Sequence, residues 1–513
     1  MPDLSLTLLL LIPIAASLII PLFPARASRG IAISIGWVML AISVFLALNF
    51  SNSVGDPFKF EMKRTWFTAP FPVAYHVGID GMSLSLVLLT TIVTLMALYA
   101  SKKYGEKRSQ LYYSMVMLLT ASILGTFVSL DVLQFFVFWE LELAPMYFLI
   151  AIWGGENRSY AAMKFLLYTF FGGIFMLGGL LYLYFQLGAA GIHTFDMIEI
   201  AKVAPAALSR QVQALCALGF LLAFIIKLPS FPFHTWLPDA HVEAPTPISM
   251  ILAALLLKMG SYGLVRIVLG FFPDAVADYG AYFIALGAFN VVWAAIACLV
   301  QQDMKRVIAF SSVSHMGFVL MGVGCLSAAA LSGAIFQMVA HGFISAALFF
   351  LVGVVYDRVH TRNINEIGGG LANSMPTSYY FWLLAALANL GLPGLAGFVA
   401  EAAVFYGAYT SPVALHDPWV RYWIIFACTG VILSAGYMLW LVKRIFFGPE
   451  DPRWVGHLTD MVGWERFVGA VLGVFIIALG VYPLMLTSTY TKMSDSMTKD
   501  AASKLIGQNN NTL

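Results

Sequence analysis

Residues 217–238 read A-L-G-F-L-L-A-F-I-I-K-L-P-S-F-P-F-H-T-W-L-P. Ten residues without a charge lead into Lys227, and Pro229, Pro232 and Pro238 follow it. Proline removes an intrahelical hydrogen bond and clashes with the preceding turn. A helix is therefore predicted to break beside the lysine and to leave backbone carbonyls unpaired. At membrane depth such a break survives only when buried in protein or lining a cavity. The stretch reads as an interrupted membrane span that carries an ionisable group.

The rest of the chain supplies the membrane. Of 513 residues, 60% are hydrophobic and 11% charged, and the mean hydropathy is +0.85. Soluble domains hold about 45–50% apolar and about 25% charged residues, so soluble, disordered and collagen-like classes are excluded. With 28 cations against 26 anions and no basic stripe, nucleic acid is not an expected partner. Cys216, Cys298, Cys325 and Cys428 are isolated in apolar segments. That argues against a metal site, a cluster or a disulfide framework and for small buried thiols. The first apolar run has its cations, Arg26 and Arg29, after it, the reverse of a cleavable signal, and reads as a retained span.

Apolar runs fall at 4–24, 30–50, 80–100, 111–130, 132–152, 161–187, 211–235, 246–270, 279–301, 304–324, 327–356, 376–409, 421–445 and 464–487. The expected fold is all-α and polytopic, with about 14 transmembrane helices. The polar stretches 51–79 and 188–210 read as extramembrane loops. Fifteen cations fall in the connections on one side and ten on the other, eight of the ten in the long loops and the tail. The positive-inside rule then puts both termini on the non-cytoplasmic side.

Six charges remain inside spans: Lys164, Lys227, Lys258, Glu140, Glu142 and Glu401. Each costs about 2.5–3.5 kcal/mol at the bilayer centre on insertion scales. Their signs cancel, as pairing in an occluded interior requires. Glu140 and Glu142 are two apart, about 200° around a helix. Only one can face a given partner, and Glu140 is the one expected to face Lys227. Burial disfavours the charged form of that lysine and a nearby glutamate favours it, so moving the partner moves the proton. Lys258 is mid-span with no snorkelling route, whereas Lys164 lies close enough to a span end to snorkel. Two histidines, His315 and His341, fall within spans and fit a proton relay better than haem ligation, because neutral imidazole both accepts and donates. Glu142, Lys164 and His234 are read as supporting residues. His76, His193, His360, His416 and His457 are read as surface.

A second interruption, N-L-G-L-P-G-L-A-G-F-V-A-E, precedes Glu401 and contains Pro393. Pro229 and Pro393 are 164 residues apart, close to the offset of about 168 between the starts of two five-helix blocks at 111 and 279. Matched breaks of this kind point to inverted-repeat transport folds. The expected organisation is 1–110, three N-terminal helices; 111–270, the first repeat; 279–447, the second; and 448–513, the last helix and the C-terminal tail. The broken spans are the seventh and twelfth.

Four segments carry a specific resemblance: W-E-L-E-L-A-P-M-Y-F-L-I-A-I-W-G-G (139–155), K-L-P-S-F-P-F-H-T-W-L-P-D-A-H-V-E-A-P-T-P-I-S-M (227–250), D-M-K-R-V-I-A-F-S-S-V-S-H-M-G-F-V-L (303–320) and L-P-G-L-A-G-F-V-A-E (392–401). Nearly the whole chain resembles the antiporter-like subunits of proton-pumping NADH–quinone oxidoreductase, respiratory complex I. The type is that of subunit M, whose counterparts are mitochondrial subunit 4 and the D-type (chain 4) component of photosynthetic NDH-1. The resemblance implies fourteen helices with two inverted repeats. It also implies Glu140, Lys227 and Lys258 as the functional residues of helices five, seven and eight, Glu401 as the terminal acid, and His315 and His341 on the central hydrophilic axis. Glutamate rather than lysine at 401 looks like subunit M rather than its L and N paralogues. The resemblance further implies that this chain binds no cofactor or metal. NAD(P)H, flavin, iron–sulfur clusters and quinone would belong to partner subunits: antiporter-like paralogues in the membrane arm and a quinone-reducing peripheral arm.

The expected function is proton translocation in a bacterial plasma membrane or a thylakoid membrane. Quinone reduction elsewhere would open and close a Glu140–Lys227 pair, sending protons through Lys258 and the histidines to Glu401. The alternatives are a subunit of a multisubunit sodium/proton antiporter or membrane-bound hydrogenase, and a CO2-hydrating NDH-1 variant.

Overall fold

The computed structural model describes residues 2–51, 58–69, 71–449 and 451–510. Thirteen helices among them are long and apolar enough to cross a bilayer. In chain order the elements are α1 (Pro2–Ile19), α2 (Ala25–Leu48), a hairpin of β1 (Lys59–Phe67) and β2 (Val73–Ile79), α3 (Gly81–Ala100), α4 (Ser109–Val128), α5 (Val132–Leu141), α6 (Leu143–Trp153), α7 (Arg158–Ala189), α8 (Met197–Ala207), α9 (Arg210–Lys227) and α10 (Trp236–Glu243). Then come α11 (Thr246–Leu269), which contains two π-helical stretches, α12 (Pro273–Leu299), α13 (Met304–Gly324), α14 (Ala328–Val359), α15 (Pro376–Asn389), α16 (Ala396–Tyr409), α17 (Val420–Phe446), α18 (Gly463–Val481) and α19 (Leu484–Asn510). Short helical turns fill some of the connections.

The difference between thirteen and the fourteen expected lies in the twelfth span. The run 376–409 is two helices of 14 residues each, about 21 Å apiece. Neither crosses a hydrocarbon core of about 30 Å alone. Joined at the Pro393 break they complete the span. The fifth span is likewise two helices, because Pro145 cannot donate to the carbonyl of Leu141 and α5 ends there.

Two helices, α11 and α14, are buried along their entire hydrophobic windows. They form the centre of the bundle and meet little lipid, so a lysine on one and a histidine on the other are sheltered from it. Around them, α7 and α9 approach closely through glycines. A methyl group added at Gly172 would meet Ala223, and one at Gly179 would meet the backbone of Gly219.

Both polar stretches, the tail and one cysteine depart from the sequence expectation, 188–210 by holding α8. The stretch 51–79, expected as a loop, holds the hairpin, with β1 and β2 antiparallel and Lys63 opposite His76. The C-terminal tail is α19, whose buried side, Leu486, Tyr490, Ser494, Thr498 and Ala501, repeats every three or four residues. It packs on α3, α12 and α14. Cys428, expected to be buried, is exposed.

His76 is not at the surface. Its side chain is 1% exposed and clamped between Glu61 Oε1 at 2.9 Å and Asp196 Oδ2 at 3.1 Å, and Lys63 Nζ reaches the same Asp196 oxygen at 2.5 Å. Asp196 also caps α8 by accepting from Ile198 and Glu199 backbone N–H groups. Burial opposes a charge on His76, but hydrogen bonds to Asp196 and Glu61 outweigh it and hold the imidazole above its ordinary range. Burial likewise opposes the Asp196 charge, and the bonds from His76 and Lys63 overcome it and hold the carboxyl well below its usual range. A second ionic contact anchors the same end of the bundle. Arg266, expected in a surface connection, lies buried and donates from Nη2 to Asp80 Oδ2 at 2.5 Å and from Nε to Tyr262 Oη at 3.1 Å.

Two outcomes follow from these contacts. A raised histidine pKa stabilises below its unfolded value and is lost as pH rises through the folded one. A lowered aspartate pKa stabilises above its unfolded value and is lost as pH falls. The hairpin–α8 contact should therefore be tightest at roughly pH 4–6.5. Hydrogen-exchange protection of the β1 and β2 amides, taken relative to the intrinsic base-catalysed rate, should fall as pH rises beyond that window, and His76→Gln should abolish that fall. Arg266→Met, which strands the Asp80 carboxylate, should cost about 3–5 kcal/mol, read as a lowered thermal midpoint of the solubilised protein.

Candidate functional site

The first charged pair sits where α5 gives way to α6. Asp131 starts α5 by accepting from the Leu133 and Gln134 backbone N–H groups at 2.9 and 3.0 Å. Glu142 occupies the junction ahead of Pro145, fully buried, and forms an ion pair with Lys227, itself 1% exposed. The Lys227 ammonium also lies over Trp139 and Phe165, 5.2 and 5.5 Å from the ring centres. Cation–π attraction of this kind is strongest where water is excluded.

The carboxylate on Lys227 is therefore Glu142, not the expected Glu140. The spacing argument that only one of the two can face the lysine holds, but the helix interruption turns Glu142 to it. Glu140 points at α7, where a side chain larger than glycine at position 173 would collide with its carboxylate. One Glu140 oxygen is buried with no hydrogen-bond partner among the described residues. Its charge remains within electrostatic range of Lys227.

The break after Lys227 is sealed by protein. The indole Nε1 of Trp236 donates to the Ile226 carbonyl at 2.9 Å. From α12, the Asn290 side chain accepts from the Phe231 backbone N–H at 2.9 Å and donates to Ser230 Oγ at 2.6 Å. Buried backbone groups need partners, and here one asparagine and one tryptophan provide them. The Lys227 stem packs beside Gly260 of α11, and a methyl group at that glycine would press on the Phe224 carbonyl and the Lys227 Cβ.

Lys258 stands two residues from Gly260, between the π-helical stretches 252–256 and 264–269. Its ammonium donates to the Ala253 carbonyl at 2.7 Å and contacts His341 Nδ1 at 2.6 Å. The widened turn places that carbonyl five residues back, within reach. Such π segments are frequent at functional sites. The His341 and His315 rings lie 5.5 Å apart between centres. His315 Nδ1 faces Gln337 Nε2 at 3.2 Å and Glu401 Oε1 at 3.5 Å. Glu401 is 5% exposed and its carboxylate lies against Gly391, which has a φ of +78° at the second break. A side chain there would be strained and would also crowd the acid.

The supporting residues divide. Lys164 is at the rim, bound to Asp239 Oδ2 at 2.8 Å, and Arg306 holds the other Asp239 oxygen at 3.2 Å. His234 is buried among Phe231, Trp293 and Phe310, with Nδ1 unpartnered among the described residues. Sequence reasoning missed His241 and Lys305. His241 is wholly buried, stacked 4.3 Å from Phe349, with neither ring nitrogen bonded among the described residues. Lys305, counted as a loop cation, donates to the Ala244 carbonyl at 2.6 Å from inside the bundle. Both occur in quoted motifs beside a helix start or break, and that position was the available signal. Asn290 and Trp236 carried none.

Interrupted spans around an enclosed line of paired ionisable groups define an antiporter-like membrane subunit. The chain belongs to the NADH:quinone oxidoreductase/Mrp antiporter transmembrane family, whose signature matches residues 129–432. It is 39% identical over 500 residues to NAD(P)H-quinone oxidoreductase chain 4 of Gloeobacter violaceus, covering 96% of this chain and 92% of that one. It is 41% identical over 509 residues to chain 4 2 of Synechococcus sp. strain JA-3-3Ab, covering 96% and 93%. A chain of respiratory complex I from Thermus thermophilus superposes with a TM-score of 0.85 at 26% identity, over 96% of this chain and 99% of that one. A chain of the Mrp complex from Dietzia sp. DQ12-45-1b shares the fold, with a TM-score of 0.83 at 19% identity over 98% of each.

Removing one member of a buried ion pair leaves an uncompensated charge and costs about 3–5 kcal/mol. Glu142→Ala should lower the thermal midpoint of the solubilised protein by that mechanism, and Glu140→Ala should lower it less. Equal losses would contradict the observed pairing.

Proposed function

We propose that this chain is a proton-translocating membrane-arm subunit of an NAD(P)H–quinone oxidoreductase. The observation that carries the reading is the sequence of contacts Lys258–His341–His315–Glu401, set beside the Glu142–Lys227 pair at a helix break. The relatives' names supply the electron-transfer partner. Residues 111–270 and 279–447 act as the two halves, with the breaks at Pro229 and Pro393 in corresponding places.

In the closed arrangement Glu142 compensates the Lys227 ammonium. When the pair opens, the lysine loses its counter-charge in a site that solvates charge poorly, and its proton passes towards Lys258 across the contact at Gly260. Glu140 is near enough to act as an alternate partner. Lys258 delivers the proton to His341 Nδ1. Imidazole takes a proton on one nitrogen and gives it from the other, so His341 and His315 can pass it to Glu401 for release. The redox steps, with NAD(P)H, flavin, iron–sulfur clusters and quinone, take place in partner subunits and drive the opening. The membrane is a bacterial plasma membrane or a thylakoid.

Lys227→Ala should abolish pumping while the complex still assembles. Dye-quench measurement of proton uptake in inverted vesicles, with a native gel for assembly, tests this. Pumping at normal stoichiometry by the assembled variant would refute the relay.

A further inference from the structure

A long apolar groove of about 610 Å³ runs between α2, α3, α14 and α18, its walls including Trp37, Leu40, Val44, Ile92, Leu95 and Phe475. On α2 it extends from Trp37 to Leu48, about 16 Å of helix rise. Its apolar walls and length suit extended hydrocarbon chains. An apolar void of this kind does not hold water.

Nearer the cation-rich face, a second cavity of about 340 Å³ is lined by Arg26, Arg29 and Lys102, with Glu106 as its one lining carboxylate. Tyr99 joins the two. Its carbonyl accepts from Arg29 Nη2 at 3.1 Å, and its hydroxyl accepts from the Trp37 indole at 3.2 Å. Arg29 Nε is buried with no hydrogen-bond partner among the described residues. Helical spacing puts Arg29, Leu40, Val44 and Ala47 on one face of α2. On α3, Ile92, Leu95 and Tyr99 share a face that leads to Lys102. The cations thus cap the line along which the groove runs.

We propose that groove and cationic cavity form one binding site for an anionic phospholipid. Its phosphate lies against Arg26, Arg29 and Lys102, the Trp37–Tyr99 contact marks the interfacial level, and the acyl chains follow α2 and α3 into the bilayer. Basic pockets between helices on the cytoplasmic side select anionic headgroups, which that leaflet supplies. The arrangement is independent of proton transfer.

The test exchanges the purified complex containing the full-length chain into vesicles of equal phosphatidylglycerol and phosphatidylcholine, re-solubilises it, and counts retained lipid by mass spectrometry. The lipid lost on Ala47→Phe, which fills the groove, defines the site. The wild type should hold phosphatidylglycerol there in preference. Arg26→Gln combined with Lys102→Gln should lower the preference about 25-fold, about fivefold per cation. Both substituted residues are exposed, so the fold is not at risk. No lipid attributable to the site, a preference unchanged in the double variant, or a partner's helix seated in the groove would each overturn the proposal.

Discussion

A bilayer neither solvates charge nor hydrogen-bonds an open backbone, and the fold is organised around meeting both demands with protein. Lys227 makes them at one place, because the proline that follows it opens the helix beside its ammonium. The solution is local and complete. Glu142 compensates the charge, two aromatic rings cover it, and Trp236 and Asn290 satisfy the backbone. These residues arrive from α5 and its end, α7, α10 and α12, so the break depends on the bundle being assembled around it.

The same constraint explains where the remaining ionisable groups lie. Lys258 and His341 sit on α11 and α14, the two helices enclosed on all sides. Glu401 follows the second break and sits against a glycine. Interruption and buried charge occur together because an open turn frees carbonyls that can help hold a proton-carrying group, as Ala253 does for Lys258. A regular helix offers its neighbours no such acceptor.

The ion pairs at the hairpin end serve a different purpose. His76–Asp196–Lys63 and Arg266–Asp80 tie β1, β2 and α8 to the helix ends beneath them. They were hidden from the sequence because loop residues read as solvated by default. Burial of a loop histidine depends on what folds over it, and β1 has no counterpart in the apolar pattern that revealed the spans. The C-terminal helix escaped for a related reason, since its buried side is largely Ser, Thr and Tyr rather than hydrocarbon.

Composition and apolar run length by themselves determined a polytopic helical membrane protein, because transfer into hydrocarbon is an additive property of local sequence. Proline position determined both interruptions, since the missing N–H acts within one turn. The interior charges were visible as violations of the same local rule. Which carboxylate meets Lys227 was decided only by tertiary structure. A residue or two of helical irregularity rotates Glu142 inward and Glu140 towards α7, and nothing in the spacing of identical side chains fixes that rotation. The burial of His241 and Lys305 and the seal made by Asn290 are likewise set by neighbours distant in sequence. Such contacts exist only once the helices have chosen their faces.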